Sequence, residues 1–132
     1  MDVFARRDLL AAGSNPDSRR DYVVTLGSSI PDLLGADNAK VVLRYVPDKL
    51  ILVPSSLDEY LKALGAMSWN NLEEVAVAIR DDINNEVVPR WLQISVSSAP
   101  SGDKSVGHHD IMLEDRQPKW DNAALLSRLR RY

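Results

Sequence analysis

Two adjacent carboxylates, Glu73 and Glu74, stand where the segment "SWNNLEEVAVAIRDD" is predicted to begin a helix. An asparagine three residues earlier, Asn70, imitates the head of a capping box, and the helix macrodipole favours acidic side chains in a first turn. A carboxylate held rigid there could instead belong to a site. Glu74 points about 100° away from Glu73 around the helix and is either solvated or a substitute for it. Both interpretations stay open.

Three further groups could move protons. Asp37, in "GADNAK", is either a turn residue or, if it shares a dry pocket with Glu73, a general acid–base group. His108 and His109 fall on a predicted strand, where neighbours face opposite sides, so they are not expected to bind one metal ion together. His108 shares a face with Asp110 and can pair with it. Either histidine could line a pocket.

Trp69, just before the predicted helix, is a packing or interface residue, or a platform on which a substrate ring stacks. Ser55 and Ser56 fit a helix N-cap, and nothing near them resembles the triad of a serine hydrolase.

The bulk properties exclude several classes of function. The chain has 132 residues, a net charge of −3 and no cysteine. It is long enough for one domain with a real core, and its charge gives no footprint for nucleic acid or an anionic membrane. Without cysteine there is no disulfide, thiolate metal site or thiol nucleophile, which suggests a reducing compartment. No apolar run approaches the roughly 20 residues that span a bilayer, and the start is not typical of a secretory signal, so the expected location is cytoplasmic.

The pattern predicts the elements that must position these residues. The first half contains a short helix over Phe4–Ala12, a strand at "DYVVTLG", a loop at "SSIPDLLGAD" and a strand Lys40–Val46 that resumes through "KLILV". A helix follows, ended by Gly65, and a second helix ends at Pro89, with "RDD" on its outward face. Strands at "RWLQISVSS" and "SVGHHDIMLED" come next, and Asp121 or Asn122 caps a terminal helix.

Two strands, two helices and two strands indicate an α+β fold, with an antiparallel sheet that carries both helices on one face. The division is an N-terminal helix or arm over 1–20, the main domain over 21–115 and a C-terminal helix over 116–132. Four strands cannot close a barrel, so the outer strands must be covered, charged or paired with another subunit. Pairing in a homo-oligomer is the economical solution.

This order, with "YVPDKLILVPSSLDEYL", "NNLEEVAVAIRDDINNEVVPRWLQISV" and "SAPSGD", resembles the tunnelling-fold superfamily, and within it the NADPH-dependent 7-cyano-7-deazaguanine (nitrile) reductases of queuosine biosynthesis. The likeness covers roughly Asp21 to Asp103. It implies ββααββ subunits that associate by strand pairing and barrel stacking, with a purine-, deazapurine- or pterin-like ring bound at subunit interfaces by a carboxylate. Glu73 falls on the family's anchoring glutamate, and Asp37 falls on its proton-handling aspartate.

The chain departs from the family pattern where the redox chemistry is done. Ile30-Pro31 stands where the family has a nucleophilic cysteine before proline, and Leu72 replaces a histidine. "VPSSLD" replaces the Glu-Ser-Lys-Ser-Leu-Lys signature linked to NADPH, so both lysines are absent. Ser101-Gly102-Asp103 replaces an Arg-Gly-Gly. Nitrile reduction by the family mechanism is therefore lost, and no redox cofactor is expected.

Two hypotheses follow. In the first, the chain is an enzyme, suited to specialised biosynthesis, that binds a planar heterocycle through Glu73. It performs hydrolysis, cyclisation or isomerisation with Asp37, helped by His108 or His109. In the second, the chain is a non-catalytic ligand-binding or scaffolding homo-oligomer, in which Glu73 only caps a helix and Asp37 only makes a turn.

Overall fold

The structure is a computed structural model that describes residues 1–35, 38–99 and 107–129. In chain order its helices and strands are α1 Val3–Arg7, β1 Ala12–Ser14, β2 Val24–Pro31, β3 Asn38–Val46, β4 Leu50–Leu52, α2 Pro54–Gly65, α3 Leu72–Val87, β5 Trp91–Ser98, β6 His109–Arg116 and α4 Ala123–Leu126. A single 3-10 turn, Leu33–Gly35, lies between β2 and β3.

The main sheet has four antiparallel strands in the order β2-β3-β5-β6. Helix α2 packs over β2, and α3 packs over β5 and β6. The predicted α+β class is confirmed: an antiparallel sheet carries two helices on one face, which is consistent with the tunnelling fold. None of the helices in the described part of the chain is long and apolar enough to cross a membrane.

The core lies between the sheet and the two helices. Alternate residues of β3 point inward, and so do the apolar stripes of α2 and α3. Burying each large aliphatic side chain stabilises the fold by about 1.5–3 kcal/mol, so this layer supplies the main driving force. The principal inward residues are Val41, Leu43, Tyr45, Leu57, Tyr60, Leu61, Leu64, Val75, Ile79, Ile83 and Ile94.

The N-terminal region differs from its prediction. The expected helix Phe4–Ala12 stops at Arg7, and Ala12–Ser14 forms a strand with Leu50–Leu52. The strand predicted at "KLILV" is present as β4, Leu50–Leu52, but it belongs to this separate two-stranded sheet and not to the sheet of β3. Tertiary hydrogen bonds decide the outcome: the Ser56 hydroxyl accepts from the Ala11 N–H at 3.0 Å, and the Val53 N–H donates to the Ala11 carbonyl at 2.8 Å.

The same contacts explain the start of α2. Neither Ser55 nor Ser56 is its N-cap; Val53 is, with Pro54 in the first turn, where a missing N–H is no loss. The Ser56 side chain is instead used to hold the N-terminal arm. At the other end of the chain Asn122 does cap α4, since its side chain accepts from the Leu125 N–H.

Strand β2 runs four residues further than predicted, because Ser28–Pro31 is strand and not loop. Proline is tolerated at the end of an edge strand, where its missing N–H costs no ladder bond. The chain then turns through Asp32 and Leu34, both with positive φ (56° and 51°). Gly65, the last residue of α2, fits closely against this end of β2.

Asp82 joins three helices and corrects the outward face predicted for "RDD": Arg80 and Asp81 do face solvent, whereas Asp82 does not. It lies on the buried stripe of α3 and is 0% exposed. Arg6 donates to it through Nε at 2.6 Å and Nη2 at 3.2 Å, and Arg7 donates through Nε at 2.7 Å. The Tyr60 hydroxyl of α2 also donates to the carboxylate. This Asp82 cluster (Arg6, Arg7, Tyr60 and Asp82) therefore fastens α1 to both α2 and α3.

Asp82→Asn tests the cluster. Removing one partner of a buried ion pair leaves uncompensated charge, so we expect unfolding by urea to show a loss of about 3 kcal/mol at pH 7.

Burial alone would raise the pKa of Asp82, but hydrogen bonds from Arg6, Tyr60 and Arg7 together lower it. The stabilisation is thus present above the unfolded-state pKa and is lost as pH falls through the lower folded-state pKa, so the difference between wild type and variant should shrink below about pH 4.

The matched control is Asp81→Asn, a neighbour on α3 whose side chain is half exposed. It should change stability by less than about 0.5 kcal/mol. Equal losses for Asp81→Asn and Asp82→Asn would contradict the role given to the cluster.

Gly65→Ala tests the contact between α2 and β2. A Cβ at Gly65 would stand 2.2 Å from the Pro31 carbonyl oxygen. We expect chemical denaturation to show a loss of about 1–3 kcal/mol from overpacking, although alanine is the better helix former. Gly27→Ala in β2, where a Cβ meets nothing within 4 Å, is the control and should not destabilise. A neutral Gly65→Ala would mean that the two elements are not in this contact.

Candidate functional site

One end of the main sheet brings together one residue from each of its four strands. Ile30, Ala39, Ser98 and His109 lie side by side across β2, β3, β5 and β6. Directly paired residues of an antiparallel sheet point to the same face, and Ile30 and Ala39 point into the core. His109 is therefore on the face that carries the helices.

Helix α3 begins at this end, one residue later than predicted. Its N-cap is Asn71, whose Oδ1 accepts from the Glu74 N–H at 2.8 Å. Asn70 is not the cap; its side chain donates to a Glu74 carboxylate oxygen at 3.2 Å. The capping pair is thus Asn71 with Glu74, and the side chain of Glu73 takes no part in it.

Glu73 contacts His109 instead. Its Oε2 lies 3.2 Å from the His109 Nε2, which joins the first turn of α3 to the first residue of β6. The Glu73 side chain is 60% exposed and the His109 side chain 40% exposed. A pair this exposed adds little to stability, so the stability of the fold does not explain it.

His108 and Asp110 form a second pair on the other side of β6. His108 Nε2 lies 3.4 Å from Asp110 Oδ2, as the shared face predicted. Both residues, with Lys40 and Ser97, line a cavity of ≈ 300 Å³ on the face of the sheet opposite the helices. The two histidines therefore lie on opposite faces of the sheet, as expected. Across the ranges 1–35, 38–99 and 107–129 no three metal-ligating side chains converge.

Asp37 lies outside the described residues, so its role as a catalytic group stays a prediction. Its neighbour Asn38 pairs with Pro31 at the same end of the sheet. The turn before it holds Leu33 in the core and places Leu34 in the left-handed region, at φ 51°. Such strain persists only where surrounding contacts hold the backbone.

Trp69 is fixed in the connection between α2 and α3. Its indole N–H donates to the Leu64 carbonyl at 2.8 Å, and the Arg6 guanidinium lies 5.8 Å from the ring centroid. The ring packs partly buried against the core. A stacking role toward a substrate stays a prediction, and one ring face already has a cation over it.

Ile30 fills the position that the resemblance gives to a nucleophilic cysteine. Its side chain is 0% exposed and belongs to the main core. Leu72, at the position of the family's histidine, is buried as well. The imidazole that does reach Glu73 comes from β6, and only the fold brings it there.

The N-cap assignment predicts a difference between two neighbouring asparagines. Asn71→Ala should cost about 1 kcal/mol of folding stability, because the Glu74 N–H loses its acceptor. Asn70→Ala removes only an exposed side-chain contact and should cost less than about 0.5 kcal/mol in the same thermal or urea unfolding experiment. The reverse order would restore Asn70 as the cap and would bring Glu73 back into the capping box.

No family model matches the chain. It is 31% identical over 127 residues to an NADPH-dependent 7-cyano-7-deazaguanine reductase of Acidithiobacillus ferrooxidans, found in two strains; the match covers 88% of this chain and 83% of the relative. A match to a ferredoxin–NADP reductase of Lactobacillus acidophilus, 29% identical over 85 residues, covers 62% of this chain but only 28% of that protein. It is too partial to indicate a shared activity. With most of both sequences aligned to the first relative, the chain belongs to the NADPH-dependent 7-cyano-7-deazaguanine reductase family.

Proposed function

We propose that this family member binds a planar heterocycle of the purine, deazapurine or pterin class through Glu73 and acts on it by non-redox acid–base chemistry. The observation that carries the proposal is the contact between Glu73 and His109. This contact joins a carboxylate and an imidazole at the end of the sheet where β3 begins, at Asn38.

Glu73 suits a ring whose edge presents two N–H groups. A carboxylate accepts two parallel hydrogen bonds from such an edge, and charge-assisted bonds of this kind are strong and directional. The position is rigid, because Leu72 and Val75 on either side are buried in the core. The positive end of the α3 macrodipole also favours the anion. His109 can hold one carboxylate oxygen and so orient the group.

The side chain at the position where the family pattern has its nucleophilic cysteine does not suit nitrile reduction, which supports a different reaction. Reduction of a nitrile through a thioimide needs a thiolate, and the chain has no cysteine. Ile30 offers only an aliphatic group, buried in the core. We therefore propose no step that begins with a covalent nitrile adduct.

NADPH does not fit the segment that the family pattern gives it. The start of α2 carries Ser55, Ser56, Asp58 and Glu59, with no cation before Lys62. Ser56 is engaged with the N-terminal arm, and Asp58 accepts a hydrogen bond from Ser28 at 2.5 Å. A phosphate requires cationic or N–H partners, and this surface offers carboxylates. The proposed reaction therefore has no hydride step.

With nitrile reduction and hydride transfer set aside, the proposed chemistry is general acid–base catalysis of the kind used in hydrolysis, cyclisation or isomerisation. An imidazole is the side chain best suited to exchange protons near neutral pH, and His109 Nε2 stands beside the anchoring carboxylate. From the family resemblance, Asp37 is the second proton-handling group. His108 with Asp110, on the open face of the sheet, is a further candidate.

A homo-oligomer would complete the site. Strands β2 and β6 are the edges of the main sheet, and each has eight residues available for pairing. Edge strands of this length are normally covered or paired. Pairing with a second copy would also remove water from the exposed Glu73–His109 contact, and excluded water strengthens hydrogen bonds to a bound ring.

Glu73→Gln tests the proposal. With wild-type protein, guanine, 7-deazaguanine and pterin are to be screened by thermal shift and the best ligand measured by calorimetry. The variant should bind that ligand at least about tenfold more weakly, because an anionic acceptor is lost, while its stability without ligand changes by less than about 0.5 kcal/mol.

The matched control is Glu74→Gln, which changes the neighbouring carboxylate and should leave affinity unchanged. His109→Gln should weaken binding as Glu73→Gln does, if the imidazole orients the anchor. Tight binding without turnover of any tested substrate would favour the non-catalytic ligand-binding protein. Equal affinities for wild type and Glu73→Gln would sink the proposed anchor.

A further inference from the structure

We infer that the N-terminal helix α1 is part of the support of the site, and that Arg6 is a positioning residue that holds the α2–α3 connection and through it Glu73. The inference rests on the proposed function, because there Glu73 is the ligand anchor. Helix α1 lies far from Glu73 along the chain, and its sequence alone gives no sign of this role.

The first link is the double contact of Arg6. Its side chain is only 11% exposed, and its guanidinium binds both oxygens of Asp82 on α3. The same guanidinium lies over the Trp69 ring at 5.8 Å. Arg6 therefore connects a fixed, buried anion to the segment that precedes α3, and a cation over a partly buried indole is attracted to its face.

The second link is Trp69, which fastens the connection between α2 and α3 to the rest of the fold. Ala66, Ser68, Asn70 and Asn71 are exposed, and in this segment Met67 and Trp69 pack against the core. The Trp69 indole N–H closes onto the Leu64 carbonyl in the last turn of α2. The indole is thus held along its edge by α2 and over its face by Arg6.

The third link runs from the connection to the anchor. Trp69 stands two residues before Asn71, whose side chain accepts the Glu74 N–H and starts the helix. Glu73 lies in that first turn. A shift of the connection would move the cap, and with it the carboxylate that has to meet both His109 and a ligand. Groups at a binding site must be held to within a fraction of an ångström, so even a small shift of the connection would weaken ligand binding.

Arg7 provides the comparison that separates a positioning role of Arg6 from simple attachment of α1 to α3. It binds the same Asp82 carboxylate, at 2.7 Å, with a side chain that is 22% exposed. In the described structure the cation over Trp69 is that of Arg6. Arg7→Met therefore removes a comparable ion pair from the Asp82 cluster but leaves the link to Trp69 in place.

The experiment is amide and indole hydrogen exchange by NMR on the full chain, with Arg6→Met, Arg7→Met and Arg6→Lys beside wild type. Two protons report the link: the Trp69 indole N–H and the Glu74 backbone N–H. The slowest core amides are to be followed beside them as the measure of global stability, because local and global openings have separate free energies. Arg6→Met should speed the exchange of both protons by about tenfold, as expected for loss of a partly buried cation–ring contact. Arg7→Met should leave the exchange of both protons unchanged, even where the core amides show a loss of global stability.

Arg6→Lys is the conservative variant and keeps a cation near the ring. It should recover most of the wild-type protection, and it keeps the test informative if Arg6→Met does not fold. Equal effects of Arg6→Met and Arg7→Met, or no effect of Arg6→Met on either proton, would overturn the inference.

The outcome is independent of the ligand. Selective loosening in Arg6→Met supports the positioning role even if no tested heterocycle binds, in which case the proposed function alone fails. Glu73-dependent binding together with identical exchange in the two arginine variants refutes the positioning role and leaves the proposed function standing.

Discussion

A buried carboxylate, that of Asp82, determines how the helical layer of this protein is assembled. Burying an anion costs several kcal/mol unless hydrogen bonds and opposite charges compensate for it. Here the compensation comes from Arg6 and Arg7 of α1 and from Tyr60 of α2. Hydrogen bonding to Asp82 raises the pKa of Arg6, and burial together with that carboxylate raises the pKa of Tyr60, so both donors stay protonated. The N-terminal arm therefore supplies the counter-charges that allow a carboxylate to be buried on α3.

A second constraint acts at the end of the sheet. The strand register sets Ile30, Ala39, Ser98 and His109 in one row, and Gly65 allows α2 to approach the end of β2. Because a one-residue slip would turn His109 to the opposite face, the contact with Glu73 depends on this register. The site is therefore built from elements far apart in the chain and held by ordinary core packing. In this member of the reductase family that end of the sheet has an aliphatic core residue, Ile30, and an exposed acid–imidazole pair.

Much of the fold could be predicted from the sequence because periodicity reports burial. The alternation in β5 and the apolar stripes of α2 and α3 gave the order of strands and helices. The failures share a physical cause: long-range contacts decided them. Ala12–Ser14 is a strand because β4 pairs with it, and Pro31 remains in a strand because that strand is an edge. Asp82 has the spacing of a buried position, after Val75 and Ile79, but its compensating arginines are about 75 residues away.

The candidate site was predictable as residue types and not as contacts. Glu73 and His109 were both recognised, yet their meeting requires α3 and β6 to be packed together. Two adjacent asparagines made the helix start ambiguous by one residue, so the capping interpretation named Asn70 with Glu73, whereas Asn71 is the N-cap and accepts from the Glu74 N–H. The one-residue shift leaves the Glu73 carboxylate outside the helix cap and in contact with His109.

The most direct measurement is a crystal structure of the chain with 7-deazaguanine bound. We expect a ring in a cleft between two copies, with its N–H edge on the Glu73 carboxylate and His109 on the same carboxylate. A ring bound elsewhere, or a carboxylate that faces solvent while the ring is held by other groups, would contradict it.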